Sequence, residues 1–339
     1  MEPLVSIITP TYNHQDYIAE CIQSVLDQTF IHWEMIIIDD GSTDNTLNRA
    51  YEFEHRDDRI KVYTQKNIGI FRLAETYNKA LGMAQGKYIA ILEGDDYWEH
   101  DKLRLQVELL EGNNEVILCW GQAWSISSDK NKIYNIYPDE NLKEALFFNN
   151  DPVGSVLNML LYKDWIPALT IIIRANELKK SGGFNQAYNM PTIDLPTLLN
   201  LSLLGKFVFI SRPLGYWRIY AGQITKVYPA LLSEGYFKLV KDFIVTNHDN
   251  QIVKTIKIKN IYSFHRDQLI IAYSRSGRYK LIRGQFSDAR ADYFKSIFRG
   301  GFNKPIWKLR STIGVLFSVF HLNVEGLSAI LGKKTYTVS

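Results

Sequence analysis

Cysteine is nearly missing from this chain: its 339 residues include only Cys21 and Cys119. Neither lies in a CxxC or Cys/His spacing, which argues against a zinc or redox site and for two buried free thiols, as a reducing compartment would allow. Long hydrophobic runs are missing too. The longest apolar stretch lies within Ile313 to Leu322, is interrupted by Gly314, Ser318 and His321, and falls short of the ~20 apolar residues a spanning helix needs. A strand pattern begins as early as Leu4, which leaves no room for a signal peptide. A cytoplasmic protein without a transmembrane span is therefore expected. Two phosphate-binding signatures are also absent. No GxGxxG follows the first strand pattern, and neither Gly86-Lys87 nor Gly205-Lys206 is followed by Ser or Thr. This disfavours a dinucleotide-dependent dehydrogenase and a P-loop ATPase.

What is present suffices for a large core. The chain is 46% hydrophobic and 22% charged, a globular composition. Its net charge is only +3, but from Gln251 to the end 16 Lys+Arg face 4 Asp+Glu, leaving 23 against 32 in the rest. An acidic body suits a carboxylate-lined site. A basic tail suits an anion-seeking segment, or simply a solvated basic helix pair.

The first half alternates strand and helix patterns, which predicts an α/β fold built on a mainly parallel sheet with flanking helices. Val5 to Ile8, Glu34 to Ile38, Ile60 to Tyr63, Tyr88 to Leu92 and Val116 to Trp120 read as strands. Helices are expected over about Asp16–Gln28, Phe71–Gln85 (with Gly86 as its C-terminal cap) and Lys102–Leu110. Ser42 or Asp44 is placed to cap the helix after the second strand. Farther on, Thr170 to Ile173 is strand-like, Thr192 to Leu204 helical, and Phe207–Ile210 and Leu214–Tyr220 form two strand runs. Beyond Tyr228 the pattern is helical, with a break at Gly300-Gly301 and Pro305.

In open α/β sheets, ligands sit beyond the carboxyl ends of the strands. Three polar clusters fall there: Pro10-Thr11-Tyr12-Asn13, Asp39-Asp40-Gly41-Ser42 and Glu93-Gly94-Asp95-Asp96. Each alone reads as a turn or helix cap. Together they place acids at successive strand ends, and clustered carboxylates repel one another unless a cation sits among them. A hard divalent ion such as Mg²⁺ or Mn²⁺ takes a few protein oxygens and completes its shell with diphosphate and water. Asp40 is placed to accept a hydrogen bond from a pyrimidine base, and Tyr12 to stack on that base. Trp98 reads equally as a sugar platform or a core residue, Trp217 as core, and His14 as a surface residue.

The runs VSIITPTYNHQDYIAECIQSVLDQTF, EMIIIDDGSTDNT, NIGI and GKYIAILEGDDYW, spanning roughly residues 4 to 110, resemble the family 2 glycosyltransferases of bacteria, which have the GT-A fold. A second match runs from Gly182 to Thr225. The resemblance implies that Pro10, Tyr12 and Asp40 contact the nucleoside and that Glu93 and Gly94 lie at the nucleotide in the metal-binding motif. It makes Asp95 the metal ligand and Asp194 the catalytic base of an inverting transfer. The donor implied is a nucleotide-sugar, a UDP-sugar foremost. The acceptor is a saccharide or lipid-linked saccharide in cell-surface polysaccharide or glycolipid synthesis, and no nucleic acid is implied as partner. Three positions depart from the family pattern: Glu93 replaces the first Asp of the metal motif, Ile193 stands where a Glu usually precedes the base, and Tyr220 replaces the His of an RxH pattern.

The expected organisation is a catalytic domain over 1–228, with a nucleotide-binding part to about residue 120 and an acceptor part after it. A helical region follows over 229–339. Its basic and aromatic residues fit either peripheral contact with the inner membrane face or packing as an appendage. The rival functions are a nucleotidyltransferase, which also gathers acids at sheet ends, and a non-catalytic binding protein on the same fold.

Overall fold

A computed structural model of the chain describes residues 2–139, 148–187, 190–220 and 222–322. The chain forms two compact units, Met1–Ile219 and Tyr220–Ser339.

The first unit is built on one sheet. Its strands are β1 (Val5–Thr11), β2 (Trp33–Asp39), β3 (Ile60–Thr64), β4 (Tyr88–Ile91), β5 (Tyr97–Trp98), β6 (Val116–Ser127), β7 (Ile133–Tyr137), β8 (Ile172–Arg174) and β9 (Lys206–Ile219). They lie in the order β3-β2-β1-β4-β8-β6-β9-β5, and β7 pairs with β6. β1 to β4 are mutually parallel. β8 runs antiparallel between β4 and β6, which itself pairs in parallel with β9. All seven residues of β1 are buried, as expected of a central strand covered on both faces. The covering helices follow from spacing. Helix Ile18–Leu26 buries Ile18, Cys21, Ile22 and Val25, at steps of three and four residues. Both cysteines are free and buried.

Several local expectations need correction. Gly86 is no helix cap: the helix ends at Met83, and Gly86 instead packs so tightly on β1 that a Cβ there would stand 2.6 Å from the Ser6 nitrogen. The two strand runs after Lys206 are one strand. Its register against β6 shifts between Gly121 and Gln122, so that Pro213, which lacks an N–H, falls at the irregularity. Trp98 is core, with its indole N–H donating to the Leu169 carbonyl at 2.7 Å, so it offers no face to a sugar.

The second unit is helical: Pro229–Thr246, Ile258–Ile282, Phe286–Phe298 and Pro305–Val319 are its longer helices. The expected break holds, with Gly300 and Gly301 at φ 69 and 58 and Pro305 opening the final helix. The last part of the expected helical region, from residue 323, lies outside the described residues. No helix among the described residues is long and apolar enough to cross a membrane.

Candidate active site

The site starts from the end of β1, where the strand order turns from β2 on one side to β4 on the other. The Thr11 carbonyl accepts the Asp40 N–H at 2.9 Å, and the Pro10 carbonyl accepts the Gly94 N–H at 3.2 Å. Two adjacent residues of β1 thus hold the acidic loops that follow β2 and β4. This is the crevice at a topological switch point where open α/β sheets bind ligands. Gly94 is demanded by the approach: a Cβ there would lie 2.5 Å from Thr11 Oγ1 and 2.9 Å from His14 Nδ1. His14 is also within 3.2 Å of Thr11 Oγ1, which ties it to the loop.

The two acids after β2 divide their work. Asp39 is fully buried and folds the turn, its Oδ2 accepting from the Gly41 and Ser42 N–H groups, both at 3.1 Å, and from the Thr64 hydroxyl. Asp40 is half-buried and reaches the 67–69 loop instead. Its Oδ1 accepts from Gln65 Nε2 at 2.8 Å and the Ile68 N–H at 3.0 Å, and its Oδ2 from the Gly69 N–H at 3.0 Å. A carboxylate has about four acceptor positions, so three donors leave room for one more, such as a base N–H. Tyr12 is 42% exposed and presents its ring to solvent beside these loops. Neither expected residue caps the next helix, whose N-cap is Asn45 with no side-chain cap bond. Asp44, one residue earlier, accepts from the Thr46 N–H at 2.9 Å and from its hydroxyl, and against burial these bonds hold its carboxyl below the usual range. Ser42 spends its hydroxyl elsewhere, on the Asn13 N–H.

After β4, side-chain oxygens of Glu93, Asp95 and Asp96 lie within 4.8 Å of one another. The Tyr77 hydroxyl donates to Glu93 Oε1 at 2.9 Å from the helix Leu73–Met83. Burial, followed by the negative charges of Asp194 and Asp95, pushes the Glu93 carboxyl up to about 8 despite that bond. Burial and the neighbouring Asp95 likewise raise Asp96. Three crowded oxygen donors, two of them disfavoured as anions, are what a hard divalent cation would relieve, so the residues present fit Mg²⁺ or Mn²⁺. Asp96 has a second duty, since its Oδ1 accepts the Arg218 N–H of β9 at 2.9 Å. The buried Arg218 guanidinium pairs with Glu20 and lies 4.9 Å and 4.8 Å from the ring centres of Tyr17 and Tyr97. Asp96 and Arg218 thereby fix the acidic loop to the far half of the sheet.

Asp194 is the first residue of helix Asp194–Leu201. It lines a cavity of about 10 Å³ with Ile91, Ile171, Ile173, Phe184 and Thr197. Its Oδ1 is buried without a hydrogen-bond partner among the described residues, and Oδ2 has only a long contact, 3.3 Å, from the Thr192 hydroxyl. Burial first, then the charge of Asp164, lifts its carboxyl to about 7. Asp164 is itself pushed up to about 7 by burial. Asp194 in turn contributes to the rise at Glu93, so the base candidate and the metal-loop acids share one electrostatic environment.

Sequence reasoning missed Tyr77, Asp96 as a brace and Asp164. Tyr77 read as an ordinary helix residue, and Arg218 stood out only as the Arg of the RxH pattern. Only the spatial convergence of distant segments gives them roles.

Comparison with known proteins bears on the family and the fold. The family model described as Glycosyl transferase family 2 matches residues 6–188. The Bacillus subtilis protein TuaG, named for teichuronic acid biosynthesis, is 51% identical over 110 residues, 32% of this chain and 42% of TuaG. The match thus spans less than half of that relative. An uncharacterized glycosyltransferase of Haemophilus influenzae is 31% identical over 265 residues, covering 77% of this chain and 79% of its own. Among solved structures, S. aureus TarS in complex with UDP-GlcNAc superposes with a TM-score of 0.57 at 17% identity, over 99% of this chain and 93% of that one. The Pyrobaculum calidifontis mannosyltransferase PcManGT, in complex with GDP-Man and Mn²⁺, gives 0.54 at 14% identity, over 98% and 89%. The structural likenesses establish the GT-A fold. With the family match over more than half of its length, the chain belongs to glycosyl transferase family 2.

Proposed function

We propose that this chain is an inverting, divalent-metal-dependent glycosyltransferase that moves a sugar from a UDP-sugar to a hydroxyl of a saccharide or lipid-linked saccharide. The pathway class is bacterial surface polysaccharide or glycolipid assembly, in line with the name of TuaG. The observation that carries the reading is the gathering of Glu93, Asp95 and Asp96 side-chain oxygens within 4.8 Å of one another beside the β1/β4 switch point. UDP-GlcNAc in TarS and Mn²⁺ in PcManGT support the choice of donor and ion.

In this scheme Tyr12 stacks on the base, Asp40 accepts its N–H, and Pro10 and Gly94 set the spacing of the two loops that embrace the nucleotide. Asp95 is the principal metal ligand, with Glu93 beside it. A bound Mg²⁺ or Mn²⁺ offsets the negative charge that builds on the departing diphosphate. Asp194 takes the proton of the acceptor hydroxyl as its oxygen bonds to the anomeric carbon and the bond from that carbon to the diphosphate breaks on the opposite face. A carboxyl near 7 is well matched to that task at neutral pH. The part of the chain to about residue 120 serves the nucleotide, and the stretch after it, carrying Asp164 and Asp194, serves the acceptor.

The test is incubation with UDP-sugars and Mn²⁺, followed by NMR of the sugar released by slow donor hydrolysis. The reading requires inverted anomeric configuration and loss of hydrolysis in Asp194→Asn. Retained configuration would refute inversion, and pyrophosphate release from UTP would favour nucleotidyl transfer.

A further inference from the structure

The last helix of the second unit wears its amphipathicity inside out. Pro305–Val319 turns Ser311, Gly314 and Ser318 inward, all three fully buried. Gly314 packs so closely on Tyr293 that a Cβ would meet its ring at 2.3 Å, and Ser311 Oγ lies 3.0 Å from Ser296 Oγ. Small and polar residues thus make the internal contact, and the large apolar residues face away. Phe302 is 99% exposed and Ile306 80%, and Leu309, Leu316 and Phe320 are each more than half exposed. Ile306, Leu309, Ile313, Leu316 and Phe320 are spaced by three, four, three and four, which puts them on one side of the helix. Monomeric soluble proteins seldom show contiguous apolar patches of this kind, and such patches mark interaction sites.

The charges around the patch identify what covers it. Between Tyr293 and Leu322 the sequence holds Lys295, Arg299, Lys304, Lys308 and Arg310 and no Asp or Glu. Lys308 donates to the Ile297 and Arg299 carbonyls and Lys304 lies 3.7 Å from Asp267, so the basic character of the patch rests chiefly on Lys295, Arg299 and Arg310. A second copy of the chain would bring like charges together as the apolar faces met. A bilayer surface rich in anionic phospholipid takes both components at once: acyl chains receive the aromatic and aliphatic side chains, and headgroups receive the cations. At 15 residues the helix is too short to span. We propose that the Phe302–Phe320 face lies in the plane of an anionic membrane surface, with its apolar side chains inserted at the headgroup boundary.

The experiment is flotation with two sets of vesicles, phosphatidylcholine alone and equal parts of phosphatidylcholine and phosphatidylglycerol. The full chain should float with the anionic vesicles and stay behind with the neutral ones, and raising the salt should release it. Removing three inserted apolar side chains, the Phe302→Gln/Ile306→Gln/Leu309→Gln variant should bind at least roughly 100-fold more weakly. Leu316→Gln/Phe320→Gln, on the same face, should weaken binding in the same direction while leaving the thermal melt unchanged. Equal binding to both vesicle types, undiminished binding by both variants, or a dimer in light scattering that the variants dissociate would overturn the proposal. The inference is independent of the transfer chemistry: donor hydrolysis in solution reads the catalytic site and flotation reads this face, so each can fail alone.

Discussion

Replacing Asp194 with Asn should cost activity and add stability, and the two effects together distinguish a catalytic base from a helix-capping residue. The carboxyl sits mostly among Ile91, Ile171, Ile173 and Phe184, and its environment lifts it from an ordinary 3.8 to about 7. A group whose folded value is raised binds its proton more tightly in the native state, so stability falls as pH climbs from about 4 through 7 and stays low above. That rise corresponds to at most roughly 4 kcal/mol, and relaxation and partial hydration leave on the order of 1–2 kcal/mol. Asn removes the penalty. A unit of this size shifts by about 2–4 °C per kcal/mol, so Asp194→Asn should melt roughly 2–8 °C higher than wild type at pH 8 and no higher at pH 4. Its transfer rate should fall about 10²- to 10⁴-fold, the usual contribution of a general base. Thermal melts at the two pH values and initial rates with a saturating donor measure both. A purely structural aspartate at a helix N-terminus predicts the reverse, namely lower stability at pH 8 and an unchanged rate. That outcome would refute the assignment.

Three further perturbations follow from the same contacts. Asp164→Asn deletes a charge that raises Asp194, so the acidic limb of the kcat/KM–pH profile should move to lower pH; a limb that stays in place would show the two acids to be uncoupled. Gly94→Ala drives a methyl group to 2.5 Å from Thr11 Oγ1, which must push the acidic loop off β1, so calorimetry should show nucleotide affinity at least ~10-fold weaker together with a lower melt. Lys102 is fully buried, and its ammonium nitrogen has no hydrogen-bond partner among the described residues. Burial therefore pushes its amine well below the usual range. The unfolded chain therefore holds this proton more tightly than the native state does. Lys102→Met should accordingly raise the Tm at pH 7, with the gain shrinking as pH approaches 10, and an unchanged or lower Tm would contradict this reading.

β1, β2 and β4 were legible because each carries an aliphatic run closed by a polar cluster, which is how strands buried on both faces are written. The edge strand β3 showed itself instead by the alternation Ile60-Lys61-Val62. β5 was not legible: two residues, Tyr97 and Trp98, hold no periodicity, and they pair with β9 because Gly215 has no Cβ to meet the Tyr97 carbonyl, 2.8 Å from where one would sit. β9 read as two runs because Ser211-Arg212-Pro213 looks like a turn, whereas β6 accommodates it as a register shift within one strand. Among site residues, the strand-end rule picked out Pro10, Asp40, Glu93 and Asp95 without any structure. It could not separate Asp39, which builds the turn, from Asp40, which reaches the 67–69 loop, because both choices satisfy the same local sequence. Asp164 stood in a stretch with no clear pattern, and its effect on Asp194 arises across 30 residues of chain. Tyr77 carried only the signal of a buried helix face, and nothing local announces that its hydroxyl meets Glu93.

Calorimetric titration of UDP, with and without Mn²⁺, into wild type and Asp95→Ala tests most directly whether the acids after β4 hold a cation that grips a diphosphate. Mn²⁺ should tighten UDP binding by wild type at least ~10-fold and leave Asp95→Ala unaffected, since that variant lacks the proposed principal oxygen ligand. Equal, metal-independent affinity in both proteins would contradict the account.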